Sequence, residues 1–227
     1  MSKPWERKSG RSTTVRKLHR HLIVCEDSKS GADYLRSFKV PAAFVEVVVE
    51  GGAGNTCGVV ERALALRQTA ISARQPYSHV WCVFDRDSFP PKDFNKAFEL
   101  ARARGNENVR IIWSNECIEL WYLLHFDFRM TSIDRHELLR LISQPTRLGK
   151  KYDKGDTSVF DLLKDKTETA IRNARRLLAT YGDDLNPERD NPSTKVHELV
   201  IVLQKLQEVT KPRELNKIKE LKDVTVD

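Results

Sequence analysis

The sequence predicts an α/β fold: a mostly parallel β-sheet flanked by helices, with a C-terminal helical extension. Three observations predict it. Between residues 21 and 130, short apolar runs alternate with segments of helical apolar spacing, the pattern of strands joined by crossover helices. The runs carry few polar interruptions, as expected of strands buried on both faces. Beyond residue 131 the strand signal disappears and three helix-length amphipathic segments follow.

Leu22-Ile23-Val24-Cys25 reads as the first strand, stopping at the polar Glu26-Asp27-Ser28. Tyr34, Leu35 and Phe38 then recur at helical spacing. Residues 44–49 (Phe-Val-Glu-Val-Val-Val) are rich in β-branched side chains and form the second expected strand, which enters the turn Gly51-Gly52-Ala53-Gly54-Asn55. Val59, Ala63, Leu66 and Ala70 mark one helix face up to about Arg74. Residues 80–84 (Val-Trp-Cys-Val-Phe) make a third strand closed by Asp85-Arg86-Asp87 and the turn Pro90-Pro91. Phe94, Ala97, Phe98 and Ala101 give a helix ending near Gly105. A fourth strand over 109–113 precedes a helix over 115–126, with Leu120, Leu123 and Leu124 on its apolar side. The later helices are expected over 133–142, 159–181 and 192–209, the last with Asn191 as its cap and Pro192 at its first position.

Composition bounds the function. The chain has 227 residues, 40% of them hydrophobic and 31% charged, enough for a packed core under a polar surface. No apolar run approaches the roughly 20 residues of a bilayer span, and the polar, basic start has no signal-like apolar segment. A cytoplasmic protein without membrane contact is expected. Cys25, Cys57, Cys82 and Cys117 are scattered without metal-ligand spacing, and thiols beside apolar runs behave as small hydrophobes. His19 and His21, with no Cys or carboxylate nearby to complete a zinc site, are expected at the surface.

Of the formal charge of +7, nearly all sits in residues 1–20, where Lys3, Arg7, Lys8, Arg11, Arg16, Lys17 and Arg20 face the single Glu6. Such an arm can follow a phosphate backbone, or it can be a solvated tail. The glycine-bounded loop over 147–155 is also basic, with Lys150, Lys151 and Lys154.

The candidate chemistry lies in carboxylates. Ligands of open α/β sheets bind beyond the carboxyl ends of the strands. Glu26 follows the first strand, Asp85 and Asp87 follow the third, and Glu119 lies on the helix after the fourth. In an extended stretch, positions i and i+2 point the same way. Hard divalent cations such as Mg²⁺ take oxygen ligands, and a metal among clustered carboxylates relieves their repulsion while activating water and phosphodiester. Each acid has a plain alternative. Asp-x-Asp is also an ordinary turn, Glu26 a polar strand end, Glu119 a residue of a solvent face, and Glu116 a first-turn carboxylate meeting the helix dipole. Their order along the chain favours the joint reading.

Four stretches resemble the RloB-like family of bacterial defence proteins, within the broader TOPRIM-like domains: 22–26 with Tyr34, 80–87, 114–126 (Ser-Asn-Glu-Cys-Ile-Glu-Leu-Trp-Tyr-Leu-Leu-His-Phe), and Asn191-Pro192-Ser193-Thr194 with Val196-His197. The resemblance spans roughly residues 20–205. With the charge pattern, the expected organisation is a basic arm over 1–20, a TOPRIM-like core over 21–130, a helical extension packed on it over 131–209, and a charged tail over 210–227. The resemblance further implies a Mg²⁺ (or Mn²⁺) site with Glu26 as general acid or base, Asp85 and Asp87 as ligands, and Glu119 as the fourth acid. Tyr152 and Lys154 resemble the family's basic loop and are candidate phosphate contacts, with a solvated loop as the alternative; Lys150, Lys151, Arg16 and Lys17 join Lys154 as candidate nucleic-acid contacts. Two places depart from the family. Asp27, Ser30 and Gly31 stand where it has Gly and a Thr-Glu pair, and Glu116 stands where it has Pro.

The expected activity is a metal-dependent nuclease acting on DNA or RNA in antiviral defence and abortive infection, beside an ATPase partner, with self-association left open. The alternative is a catalytically silent nucleic-acid-binding or regulatory subunit. Nucleotidyl transfer or strand rejoining ranks last, because neither a nucleotide-binding Gly-Lys-Ser/Thr loop nor a tyrosine in topoisomerase context is present.

Overall fold

A computed structural model describes residues 19–43, 45–87, 91–211 and 214. Arg16 and Lys17, with most of the basic arm and the charged tail, lie outside the described residues.

The apolar runs form a sheet of order β2-β1-β3-β4-β5. Its strands are β1 (His19–Cys25), β2 (Val45–Glu50), β3 (His79–Asp85), β4 (Val109–Asn115) and the two-residue β5 (Ser193–Thr194). The first four pair in parallel and β5 runs antiparallel to β4. The helices are α1 (Ser30–Arg36), α2 (Thr56–Ser72), α3 (Pro91–Arg102), α4 (Glu119–Leu123), α5 (Arg135–Ile142), α6 (Val159–Leu163), α7 (Thr167–Ala179) and α8 (Val196–Gln207). The expected α/β class is observed, and among the described residues no helix is long and apolar enough to cross a membrane.

The strands are covered on both sides because alternate residues feed two cores. Leu22, Val24, Val80, Cys82, Phe84 and Trp113 pack on Val59, Val60, Ala63, Phe94 and Ala97 of α2 and α3. Ile23, Cys25, Trp81, Val83 and Ile112 pack on the other side with α1, α4 and the helices beyond residue 131. The extension therefore shares one continuous core with the sheet. Each buried Leu, Ile or Phe there contributes about 1.5–3 kcal/mol.

Several expectations are corrected. His19 and His21 are not surface residues: with relative exposures of 4% and 1% they are buried in β1. Arg20 likewise belongs to β1 rather than to the arm, its Nε 2.5 Å from Glu46 and its guanidinium over the Tyr77 ring. Glu116 precedes α4 instead of sitting in its first turn, so the helix dipole does not explain it. The helix expected over 159–181 is interrupted at Lys164–Lys166 by a 3₁₀ turn, where the Thr167 hydroxyl donates to the Lys164 carbonyl. Asn191-Pro192 does not open the last helix. The Asn191 amide clamps the Ile133 backbone, accepting from its N–H and donating to its carbonyl, both at 3.0 Å. Ser193 and Thr194 are drawn to β4 by their hydroxyls, with Thr194 Oγ1 2.9 Å from Ser114 Oγ and donating to the Trp113 carbonyl. That short strand carried no apolar signal, because both of its residues are hydroxylated.

Candidate carboxylate site at the crevice between β1 and β3

From β1 the chain passes to β2 on one side, and β3 then returns to the other. The strand order reverses at the β1/β3 pair, and the crevice beyond their carboxyl ends is where such sheets bind ligands. Cys25 pairs with Val83, so Glu26 comes level with Phe84, and Asp85 follows one residue further along the neighbouring strand.

The loop after β1 is held from three sides. The Glu26 N–H donates to the Val83 carbonyl at 3.1 Å, the Gly54 N–H to the Glu26 carbonyl at 3.2 Å, and the Ala53 N–H to the Cys25 carbonyl at 3.3 Å. Gly51 makes this approach possible, since a Cβ there would lie 2.7 Å from the Asp27 carbonyl oxygen and from Ser28 Cα. Asp87 sits at φ +41°, so the acids after β3 do not follow an extended i, i+2 geometry. A left-handed turn, which Asp tolerates better than most residues, brings both toward the same partner. The Arg86 side chain is drawn away to Glu188, its Nη2 2.8 Å from Oε1.

Glu26, Asp27, Asp85 and Asp87 line one cavity of about 140 Å³ together with Arg135, Lys154, Gly31 and Ile118. The Asp85 N–H donates to Glu26 Oε2 at 3.1 Å. Arg135 Nη2 lies 3.7 Å from Asp85 Oδ2 and is paired with Asp87 Oδ1. Burial pushes the Glu26 carboxyl up to about 7, opposed by the Asp85 N–H and reinforced by the charges of Asp87 and Asp27. Burial also raises Asp85 well above the usual carboxylate range, with Glu119, Asp87 and Glu26 adding to it and Arg135 opposing. Asp27 is raised by burial and held back by Lys154, whose Nζ is 4.0 Å away. Four acids thus face two bases, and an added cation would relieve the imbalance.

Glu119 does not line this cavity. It is fully buried behind it, so the solvent-face alternative fails. Its Oε1 accepts from the Tyr152 hydroxyl at 2.9 Å and from Ser30 at 3.4 Å, while no hydrogen bond reaches the enclosed Oε2. Tyr152, expected as a loop contact to phosphate, is instead turned inward onto this carboxylate. Glu116 is half-buried outside the cavity lining, its carboxyl raised by burial and by Asp87. Of the three loop lysines, Lys154 reaches the cavity. Lys150 is bound to Asp156 at 2.5 Å and to Ser158, and Lys151 is exposed away from the lining.

Two site residues escaped the sequence reading. Arg135 opens α5, where a cation is disfavoured by the helix dipole; that misplaced charge was the available signal that an acidic partner holds it. Asp27 was legible as the residue beside Glu26, but its side chain could not be aimed without the loop.

Among the described residues, the group of three or more His, Cys, Asp or Glu side chains with ligand atoms all within 4.8 Å is not carboxylate at all: it is His19, His21 and His79.

The family model of the RloB-like proteins matches residues 21–203, most of the chain, and the chain belongs to that family. No curated protein and no solved structure matches it.

Proposed function

We propose that this member of the RloB-like family is a divalent-cation-dependent nuclease that hydrolyses phosphodiester bonds of DNA or RNA in antiviral defence, with an ATPase as its partner. The observation that carries the reading is the gathering of Glu26, Asp85 and Asp87 at the switch-point crevice, with burial holding Glu26 near 7. The donor set fits Mg²⁺ or Mn²⁺: it is all oxygen, and such ions take one or two carboxylates with the rest water and phosphate. Asp85 and Asp87 would hold the ion, with Glu26 beside them and Glu119 adding negative charge from behind. When bound, the ion supplies polarisation of the phosphodiester and of the attacking water.

The chain's own groups provide the remainder. A carboxylate titrating near neutrality is suited to take a proton from water at Glu26. Arg135, released from Asp85 and Asp87, is within reach of the same cavity and offers a fork of donors to a phosphate. Lys154 stands at the rim as a second phosphate contact.

One observation favours the alternative, a silent nucleic-acid-binding or regulatory subunit. Arg135 already pairs with both aspartates and offsets part of the charge a metal would balance. The discriminating experiment incubates the full chain, alone and with its ATPase partner, with Mg²⁺ or Mn²⁺ and mixed DNA and RNA, beside Asp85→Asn and Glu26→Gln. Cleavage lost in both variants supports the nuclease. Binding without cleavage in every condition supports the silent subunit. Cleavage that persists in both variants rejects the site.

A further inference from the structure

A second cluster lies at the opposite end of the same strand pair. His19 and His21 alternate on one face of β1, and the parallel register sets His21 against His79 at the start of β3. The rings crowd together, with centroids 4.8 Å apart for His19 and His21, 5.0 Å for His21 and His79, and 5.6 Å for His19 and His79. His21 Nε2 is 2.9 Å from His19 Nδ1. One nitrogen from each ring falls within 4.8 Å of the other two.

We propose that His19, His21 and His79 form a transition-metal site, with Zn²⁺ the ion it suits best, separate from the carboxylate cavity. Two histidines at i and i+2 of one strand and a third on its neighbour present three imidazoles to one point. A tetrahedral ion with Zn–N near 2.05 Å sets its ligand nitrogens about 3.3 Å apart. The His19–His21 pair is already slightly inside that separation. Closing the widest pair requires rotation of side chains, and half-buried His79 is the least enclosed of the three. The all-nitrogen donor set selects zinc and its neighbours over Mg²⁺, which requires oxygen. Burial of His19 and His21 fixes two ligands, and the partial exposure of His79 leaves an entry path and a fourth position for water. Val45 and Val47 of β2 pair with His19 and His21 and wall the cluster on that side.

Trp81 makes the inference sharper. Its indole Nε1 donates to His21 Nδ1 at 3.3 Å. A neutral imidazole that binds a metal through one nitrogen keeps its proton on the other. If Nδ1 takes the ion, the indole loses its acceptor; if Nε2 takes it, Nδ1 becomes a donor facing the indole. Either way metal binding breaks the Trp81 contact, so Trp81 competes with the ion.

The test titrates the chelator-stripped full chain with Co²⁺ and Zn²⁺, following the visible bands of four-coordinate Co²⁺ and the tryptophan emission. One equivalent of Co²⁺ is expected to give tetrahedral bands that Zn²⁺ abolishes and a large Mg²⁺ excess does not. His79→Gln, at the least buried ligand, should weaken binding by about tenfold or more, since even outer-shell losses cost roughly 10–100-fold. Trp81→Phe should tighten it, and Asp85→Asn should leave it unchanged. Thermal melts of the metal-free variants establish that each is folded. Absence of the tetrahedral bands, or bands retained in a folded His79→Gln, overturns the proposal; so does a loss of binding in Asp85→Asn equal to that in His79→Gln.

Discussion

The strands β1 and β3 carry different chemistry at their two ends. At the carboxyl end Glu26, Asp85 and Asp87 surround a cavity and are countered by Arg135. At the amino end, about 20 Å away along a seven-residue strand, His21 stacks on His79 and on Trp81, with His19 tilted against both histidines. The first end has a surplus of negative charge and acids raised by burial. The second has imidazoles packed among apolar side chains. Two strands that share one sheet and two cores thus offer hard oxygen donors at one pole and borderline nitrogen donors at the other.

The largest expected effect tests the carboxyl end alone. Glu26→Gln should reduce cleavage by about 10²–10⁴-fold, the range for losing a positioned general base, in a gel assay with Mn²⁺, while Co²⁺ binding at the histidines stays intact. A loss of both would mean the two ends are one unit.

Acidity should separate the ends next. Because Glu26 and Asp85 titrate higher in the folded chain than in the unfolded one, the native state holds more protons above the unfolded carboxylate pKa. The contribution of these two carboxylates to stability, in the absence of divalent ions, is therefore fully present below that value and is lost as pH rises toward about 7, the Glu26 value; buried His21, His125 and His197, lowered by burial, contribute in the opposite direction. Melting curves from pH 4 to 8 for wild type and Asp85→Asn isolate this contribution: stability of the variant relative to wild type should rise with pH. Mg²⁺ should restore stability at pH 8. An unchanged slope in Asp85→Asn would contradict the assigned burial cost.

Tyr152→Phe should cost about 1–3 kcal/mol, the penalty for stripping a donor from a buried acceptor, because Glu119 then keeps only the long Ser30 contact. Denaturant melts measure it. Gly51→Val should cost a similar amount, about 1–3 kcal/mol for overpacking, and should also displace the Glu26 loop it would strike. The smallest effect belongs to Lys154→Ala: weaker nucleic-acid binding with a salt slope lowered by about 1, where Lys151→Ala changes little.

The same comparison shows what the sequence made legible. The four main strands were readable because buried parallel strands are written as apolar runs, and the carboxyl end was readable because acids directly follow those runs. Glu26, Asp85 and Asp87 reach one cavity as expected from that order. Glu119 was not separable from a surface residue, since its burial depends on Tyr152, 33 positions later. The amino end was misread for a related reason. Taken singly, His19 and His21 look like part of a basic segment, and the third imidazole arrives only through the pairing of β1 with β3. β5 was missed because hydroxyl contacts to β4 define it where apolar spacing does not. Contacts between distant segments, which no local pattern encodes, account for each of these misses.

The central claim is that the two ends of this strand pair are separate cation sites of different chemistry. Anomalous diffraction from crystals of the full chain soaked with both Mn²⁺ and Zn²⁺, recorded at each metal's absorption edge, tests it most directly. The account predicts a manganese peak among Glu26, Asp85 and Asp87 with Arg135 moved off the aspartates, and a zinc peak among His19, His21 and His79. Manganese at none of these three carboxylates, or both metals at one end, would contradict it.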